Sequence, residues 1–157
     1  MSASALLVAA LAVTQVSTFE YDELGRLIAE KSGPEGRWVA FYQYDPEGRI
    51  TRATNGAGEA TTMTYDALGR VATSTAPRAG VTRFPYDAAD RVTQVTDPRG
   101  LVTSYRYNGL GDLLELKSPD TGTTTHTYRS DGLLDRTVRH DGSVLTYGYD
   151  GLGRSTR

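Results

Sequence analysis

The chain contains no cysteine in its 157 residues. That excludes a disulfide framework and any thiolate metal site, and it leaves the redox compartment open. Histidine occurs only at His126 and His140, with no His-x-x-x-His spacing, too little for a dedicated imidazole metal site. Lysine is nearly missing as well. Lys31 and Lys117 stand among 17 basic residues, and the arginines that make up the rest are spread along the chain rather than gathered in a run. With a net charge of −2 there is no electrostatic case for nucleic acid or an anionic membrane. Long hydrophobic runs are absent too: the apolar stretch Leu6 to Val13 is far too short to span a bilayer. No Lys or Arg precedes Arg26, so this stretch also lacks the basic start of a secretory signal, although Ala10 and Ala12 sit as small residues before a cleavage point would. Residues 1–18 are therefore read as an apolar leader: a weak signal peptide, a strand or helix leading into the rest of the chain, or the point where a longer chain has been cut.

What the sequence does contain is a repeat. Tyr65 Asp66 Ala67 Leu68 Gly69 Arg70 Val71 recurs, with variations, from Tyr21, Tyr44, Tyr86, Tyr107, Tyr128 and Tyr149, at steps of 23, 21, 21, 21, 21 and 21 residues. A period that constant marks a repeat architecture. The signature residues are Tyr21, Asp22, Gly25 and Arg26; Tyr44, Asp45, Gly48 and Arg49; Tyr65, Asp66, Gly69 and Arg70; Tyr86, Asp87 and Arg91; Tyr107 and Gly111; Tyr128 and Gly132; and Tyr149, Asp150, Gly153 and Arg154. The chemistry predicts a turn between two strands. The Asp carboxylate accepts from the backbone two residues on, and the Gly takes the left-handed conformation that closes a longer hairpin loop. An apolar residue six places after each Tyr (Leu27, Ile50, Val71, Val92, Leu113, Leu134) opens the next strand, and at Ser155 the pattern fades. Asp90 in the Gly position, Asp112 in the Arg position and Arg129 in the Asp position make three degenerate turns.

Midway between tyrosines lies a second turn, clearest at Asp97 Pro98 Arg99 Gly100. Looser versions occur near Pro34, Asn55, Pro77, Pro119 and His140. Leu101 to Tyr107 alternates as a strand does, with Leu101, Thr103, Tyr105 and Tyr107 on one face. The 21 threonines suit a pleated surface and disfavour helices. Strands of about five to seven residues joined by tight turns must be antiparallel neighbours, so residues 19–157 read as an all-β meander growing by two strands per repeat. No stretch shows a sustained helical period.

Tyr65 to Val71, with Tyr21 to Leu27 and Tyr149 to Arg154, resembles the Rhs or YD repeat. In that family such repeats form a long β-strip that spirals into a hollow shell, in bacterial polymorphic toxins, in insecticidal toxin complexes, where it encloses a toxic C-terminal domain, and in the teneurin adhesion receptors. The resemblance implies a curved, open, spiralling sheet, further YD repeats of a parent chain or neighbouring strands as partners, a toxin cargo encoded elsewhere, and a secreted or cell-surface location. The bacterial family ends its shell at a self-cleaving segment built on Asp-Pro-x-Gly-Leu. Asp97 to Leu101 matches those five letters, but the glycine pair and asparagine that should come next are missing, so it is read as an ordinary turn.

Candidate active sites are few. Gly109 Leu110 Gly111 and Gly151 Leu152 Gly153 lack the third glycine and the helix of a nucleotide loop, and there is no Gly-x-Ser-x-Gly elbow. Asp22, Asp45, Asp66, Asp87 and Asp150 have turns to make, and a lateral spacing of two strands, about 9.5 Å, is too wide for neighbouring copies to share one ion. No catalytic residue, cofactor or metal is expected. Two readings remain: a structural segment of a toxin-enclosing shell, from a larger protein; or a carbohydrate-binding or adhesion module in which Tyr105, Tyr107, Tyr147 and Tyr149 stack on sugar rings. The first expects an incomplete strip with open edges that associates or is degraded when isolated.

Overall fold

The computed structural model describes residues 17–33 and 35–156. Most of the apolar leader therefore lies outside the described residues, as does Pro34. Among the described residues there are thirteen strands and no helix. They are β1 Ser17–Tyr21, β2 Leu27–Ser32, β3 Arg37–Tyr44, β4 Ile50–Asn55, β5 Ala60–Tyr65, β6 Val71–Ala76, β7 Gly80–Arg83, β8 Gln94–Thr96, β9 Val102–Tyr107, β10 Leu113–Ser118, β11 Gly122–Tyr128, β12 Leu134–Val138 and β13 Val144–Thr146. Sheet order is sequence order, and the pairings are antiparallel, as a chain with a turn every ten residues or so requires.

The chain divides into two compact units at Thr62 and Met63, within β5. In the first, β1 pairs with β2, β2 with β3, β3 with β4, and β4 with the start of β5 through Arg52↔Thr62. The second runs from the end of β5 to the bridge Tyr149↔Ser155. There the fading copy still pairs, although Ser155 opens no full strand. The apolar residue six places after the Tyr opens β2, β4, β6, β10 and β12, as its position predicts.

The fourth copy departs from this. β7 stops at Arg83 and β8 starts at Gln94, so Val92 makes only an isolated bridge to Tyr86. The reason is Pro85, which has no amide to give the ladder; its carbonyl still accepts from the Thr93 amide at 3.0 Å. Strand lengths range from three to eight residues rather than five to seven.

There is almost no interior. Among the described residues only Ala29 and Thr137 are buried, and no side chain is fully enclosed. A sheet with two half-wet faces draws little on hydrophobic burial, so the backbone ladder and contacts between neighbouring strands must hold it.

Candidate functional site

The feature the fold repeats is the turn after each signature tyrosine, and its geometry is nearly constant. In the first copy the Asp22 amide donates to the Arg26 carbonyl at 2.9 Å, and the Gly25 amide donates to the Asp22 carbonyl at 3.0 Å. Asp22 Oδ1 accepts from the Leu24 and Arg26 amides at 3.0 and 2.9 Å, while Oδ2 takes the Arg26 Nε–H at 2.6 Å. Gly25 has φ +76°. This is a type I turn closed by a left-handed residue, and the extra residue appears as a register shift between Glu20 and Tyr21. The same set recurs at Asp45 with Arg49, Asp66 with Arg70, Asp87 with Arg91 and Asp150 with Arg154. Asp97, at a midway turn, uses it too, its carboxylate accepting from the Arg99 and Leu101 amides. The five letters shared with a self-cleaving segment thus form an ordinary turn here.

These contacts hold the carboxylates ionised. The Arg70 side chain pulls Asp66 below the usual range, the Arg91 side chain does so for Asp87, and the backbone amides of Arg26 and Arg154 lead the same effect at Asp22 and Asp150.

Three of these turns are also tied to the next copy. Arg26 lies over the Tyr44 ring at 4.7 Å and donates Nη1–H to the Asp45 carbonyl at 3.2 Å, while the Tyr44 hydroxyl donates to the Leu27 carbonyl at 2.6 Å. Arg70 does the same to Tyr86 at 4.5 Å and the Asp87 carbonyl, and Arg91 to Tyr107 at 4.9 Å and the Asn108 carbonyl. The hydroxyls of Tyr86, Tyr107, Tyr128 and Tyr149 donate to the carbonyls of Val71, Val92, Leu113 and Leu134. Tyr44, Tyr86, Tyr107 and Tyr149 are therefore clasps between copies: each ring carries a guanidinium and each hydroxyl satisfies a backbone acceptor. Tyr21, with no earlier copy among the described residues, is 58% exposed. Tyr65 ends β5, half-buried, just before the Asp66 turn.

The three degenerate copies keep the backbone turn and rebuild the side-chain contact. Asp90, in the Gly slot, adopts φ +61° and accepts from Arg70 Nη1 at 2.6 Å. Asn108 replaces Asp as the acceptor for the Leu110 and Asp112 amides and turns its own amide on the Asp112 carboxylate at 2.7 Å, so the charged partner has changed sign. The turn at Gly111 lacks an Arg, and burial followed by the Asp112 charge pushes the Tyr128 phenol up. In the next copy Arg129 occupies the Asp slot and lies 5.9 Å from the Tyr149 ring, with the Gly132 amide still bonded to the Arg129 carbonyl. The signal for the Asn108 exchange is a paired change four residues apart, Asn108 with Asp112, and the midway turn of Asn55 and Glu59 carries the same kind of pair.

Of the stacking candidates, Tyr107 and Tyr149 are clasp residues. Tyr105 and Tyr147 are half-buried two places earlier, and the Tyr147 hydroxyl is 3.5 Å from Thr137 Oγ1, which also contacts His126 Nδ1 at 3.0 Å. No group of three or more metal-ligating side chains occurs among the described residues.

A family model described as "Teneurin YD-shell" matches residues 12–157. The chain belongs to the teneurin YD-shell family. Solved structures give the same fold. A Photorhabdus luminescens Tc holotoxin pore carrying the mutation TccC3-D651A superposes with a TM-score of 0.76 at 15% identity, over 90% of this chain and 9% of that one. TcdB2-TccC3-Cdc42 gives 0.74 at 15% over 91% and 9%, and TcdB2-TccC3 without its hypervariable C-terminal region 0.71 at 17% over 92% and 9%. The YD-shell chain thus spans about a tenth of the length of the structures it matches. A comparison with curated proteins gave no match.

Proposed function

We propose that this YD-shell chain is a structural segment of a wall that encloses or presents a toxin domain encoded elsewhere, and that it is part of a larger secreted protein. The observation that carries this reading is the clasp. The side chains that recur most faithfully, Asp, Arg and Tyr, are consumed in fixing a turn and tying it to the one after, as Asp66, Arg70 and Tyr86 do, which is work a wall needs and a catalyst does not. Its partners on this reading are further YD repeats and the cargo, and the chain alone turns nothing over. The engaged rings of Tyr107 and Tyr149 support a wall over a carbohydrate-stacking surface.

The test has two arms. Electron cryomicroscopy of the full natural polypeptide is expected to show these strands as one strip of a hollow shell; a solid or extended particle would refute the wall. A glycan array and a broad hydrolase and nucleotide screen on the purified chain are expected to be silent. Glycan binding abolished by Tyr105→Ala or Tyr147→Ala would establish the binding module instead.

A further inference from the structure

The chain has two asparagines, and both precede glycine: Asn55 Gly56 and Asn108 Gly109. We propose that Asn55 and Asn108 are sites of spontaneous deamidation, kept unreactive by the closed turn and unable to re-close it once converted. In the reaction the backbone nitrogen of the following glycine attacks the side-chain Cγ. The new N–Cγ bond forms as the Cγ–Nδ2 bond breaks, ammonia leaves, and water then opens the cyclic imide to aspartate or isoaspartate. Glycine leaves the attacking nitrogen unhindered. At Gly56 that is imposed by packing, since a Cβ there would lie 2.6 Å from the Trp38 carbonyl oxygen. At Gly109 nothing lies within 4 Å, so the small residue is not required by its surroundings.

The folded turn opposes the attack. Asn108 Oδ1 is held by the Leu110 and Asp112 amides, each at 2.9 Å, and Nδ2–H is given to Asp112 Oδ2 at 2.7 Å. Asn55 is held the same way by the Ala57 and Glu59 amides at 3.0 and 2.9 Å and by Glu59 Oε2 at 3.1 Å. Rotating either amide to present Cγ breaks three hydrogen bonds, so the folded chain should react on the order of a hundredfold more slowly than the unfolded one. Conversion is one-way in its effect. Aspartate at 108 would set a carboxylate against Asp112, and isoaspartate would lengthen the main chain inside a closed turn. Arg91 donates to the Asn108 carbonyl, but its guanidinium is paired with the Asp87 carboxylate at 2.7 Å.

The experiment incubates the full chain in mildly alkaline buffer, with and without denaturant, and reads each site by peptide mass mapping and isoaspartyl methyltransferase labelling. Both sites are expected to convert in denaturant and to be strongly protected without it; equal rates, or no conversion in denaturant, would overturn the proposal. Gly109→Ala should slow conversion at Asn108 in denaturant and leave Asn55 unchanged, and an unchanged rate at Asn108 would count against the stated chemistry. Asn108→Asp should destabilise the turn, and adding Asp112→Arg should restore it by rebuilding the signature pair. A single variant as stable as the parent, or a double variant no better than the single, would show that conversion does not block closure. The double variant keeps this arm decisive even if the single one fails to fold.

Discussion

Two glycines in one loop separate the cost of backbone conformation from everything else. Gly109 and Gly111 are both exposed, and nothing lies within 4 Å of a Cβ built on either. They differ in that Gly111 has φ +97°, while Gly109 is not in the left-handed region. A methyl group therefore meets no neighbour at either site, and only the main chain discriminates. Gly111→Ala forces an L-residue into the left-handed region and should cost about 1–2 kcal/mol. Gly109→Ala restricts the unfolded chain without strain and should be neutral or stabilising by about 0.4–1 kcal/mol. Urea denaturation of each variant against the parent reads the difference as opposite shifts in midpoint at constant slope. In thermal melts the penalty for Gly111→Ala should appear as a loss of roughly 2–8 °C for a chain of this length. Equal shifts from the two substitutions would refute the turn as the element that depends on a left-handed glycine.

Tyr107→Phe removes one hydroxyl donor to the Val92 carbonyl and should cost about 0.5–1.5 kcal/mol, whereas Tyr21→Phe, at an exposed ring, should stay within about 0.5 kcal/mol; chemical denaturation checks both. Gly69→Val, at φ +81°, should cost at least about 1–2 kcal/mol, and Thr73→Val should be mild because the hydroxyl it contacts, on Thr64, is on an exposed residue. Acid should loosen the turns. Asp22, Asp66, Asp87 and Asp150 have folded pKa values below their ordinary 3.8, so the folded chain binds fewer protons than the unfolded one near that pH. The stability they contribute is complete above 3.8 and disappears as pH falls through the lowered values; a melting series from neutral to strongly acidic pH, flat until below about 4, is the expected result.

Much of the fold was legible because its rules are local. The hand of Gly69, the Asp66 Oδ1 contact with the Leu68 amide, and strands opening at Leu27, Ile50, Val71, Leu113 and Leu134 follow from turn chemistry and alternation. Pro85 was in plain view, yet its effect on β7 and β8 depends on which amide the ladder needed there, a matter of pairing rather than period. The clasp was less legible still. Arg in the signature reads equally well as a solvated charge, and only the lateral stacking of one copy on the next places Arg91 over Tyr107. The role of Asn108 emerges only with Asp112 across the loop. Asp22, Asp66, Asp87 and Asp150 follow from turn chemistry because their carboxylates find their partners two and four residues on.

A strip stabilised by neighbouring strands should associate when it is alone, and light scattering of the purified 157-residue chain over a range of concentrations shows whether it does. β1 and β13 are the outermost strands of the order, and every residue of both is exposed. Such edges pair with other strands when nothing covers them. The mass is expected to rise with concentration, or the protein to be lost to aggregation. A constant monomer mass at high concentration, with a single cooperative unfolding transition, would contradict it.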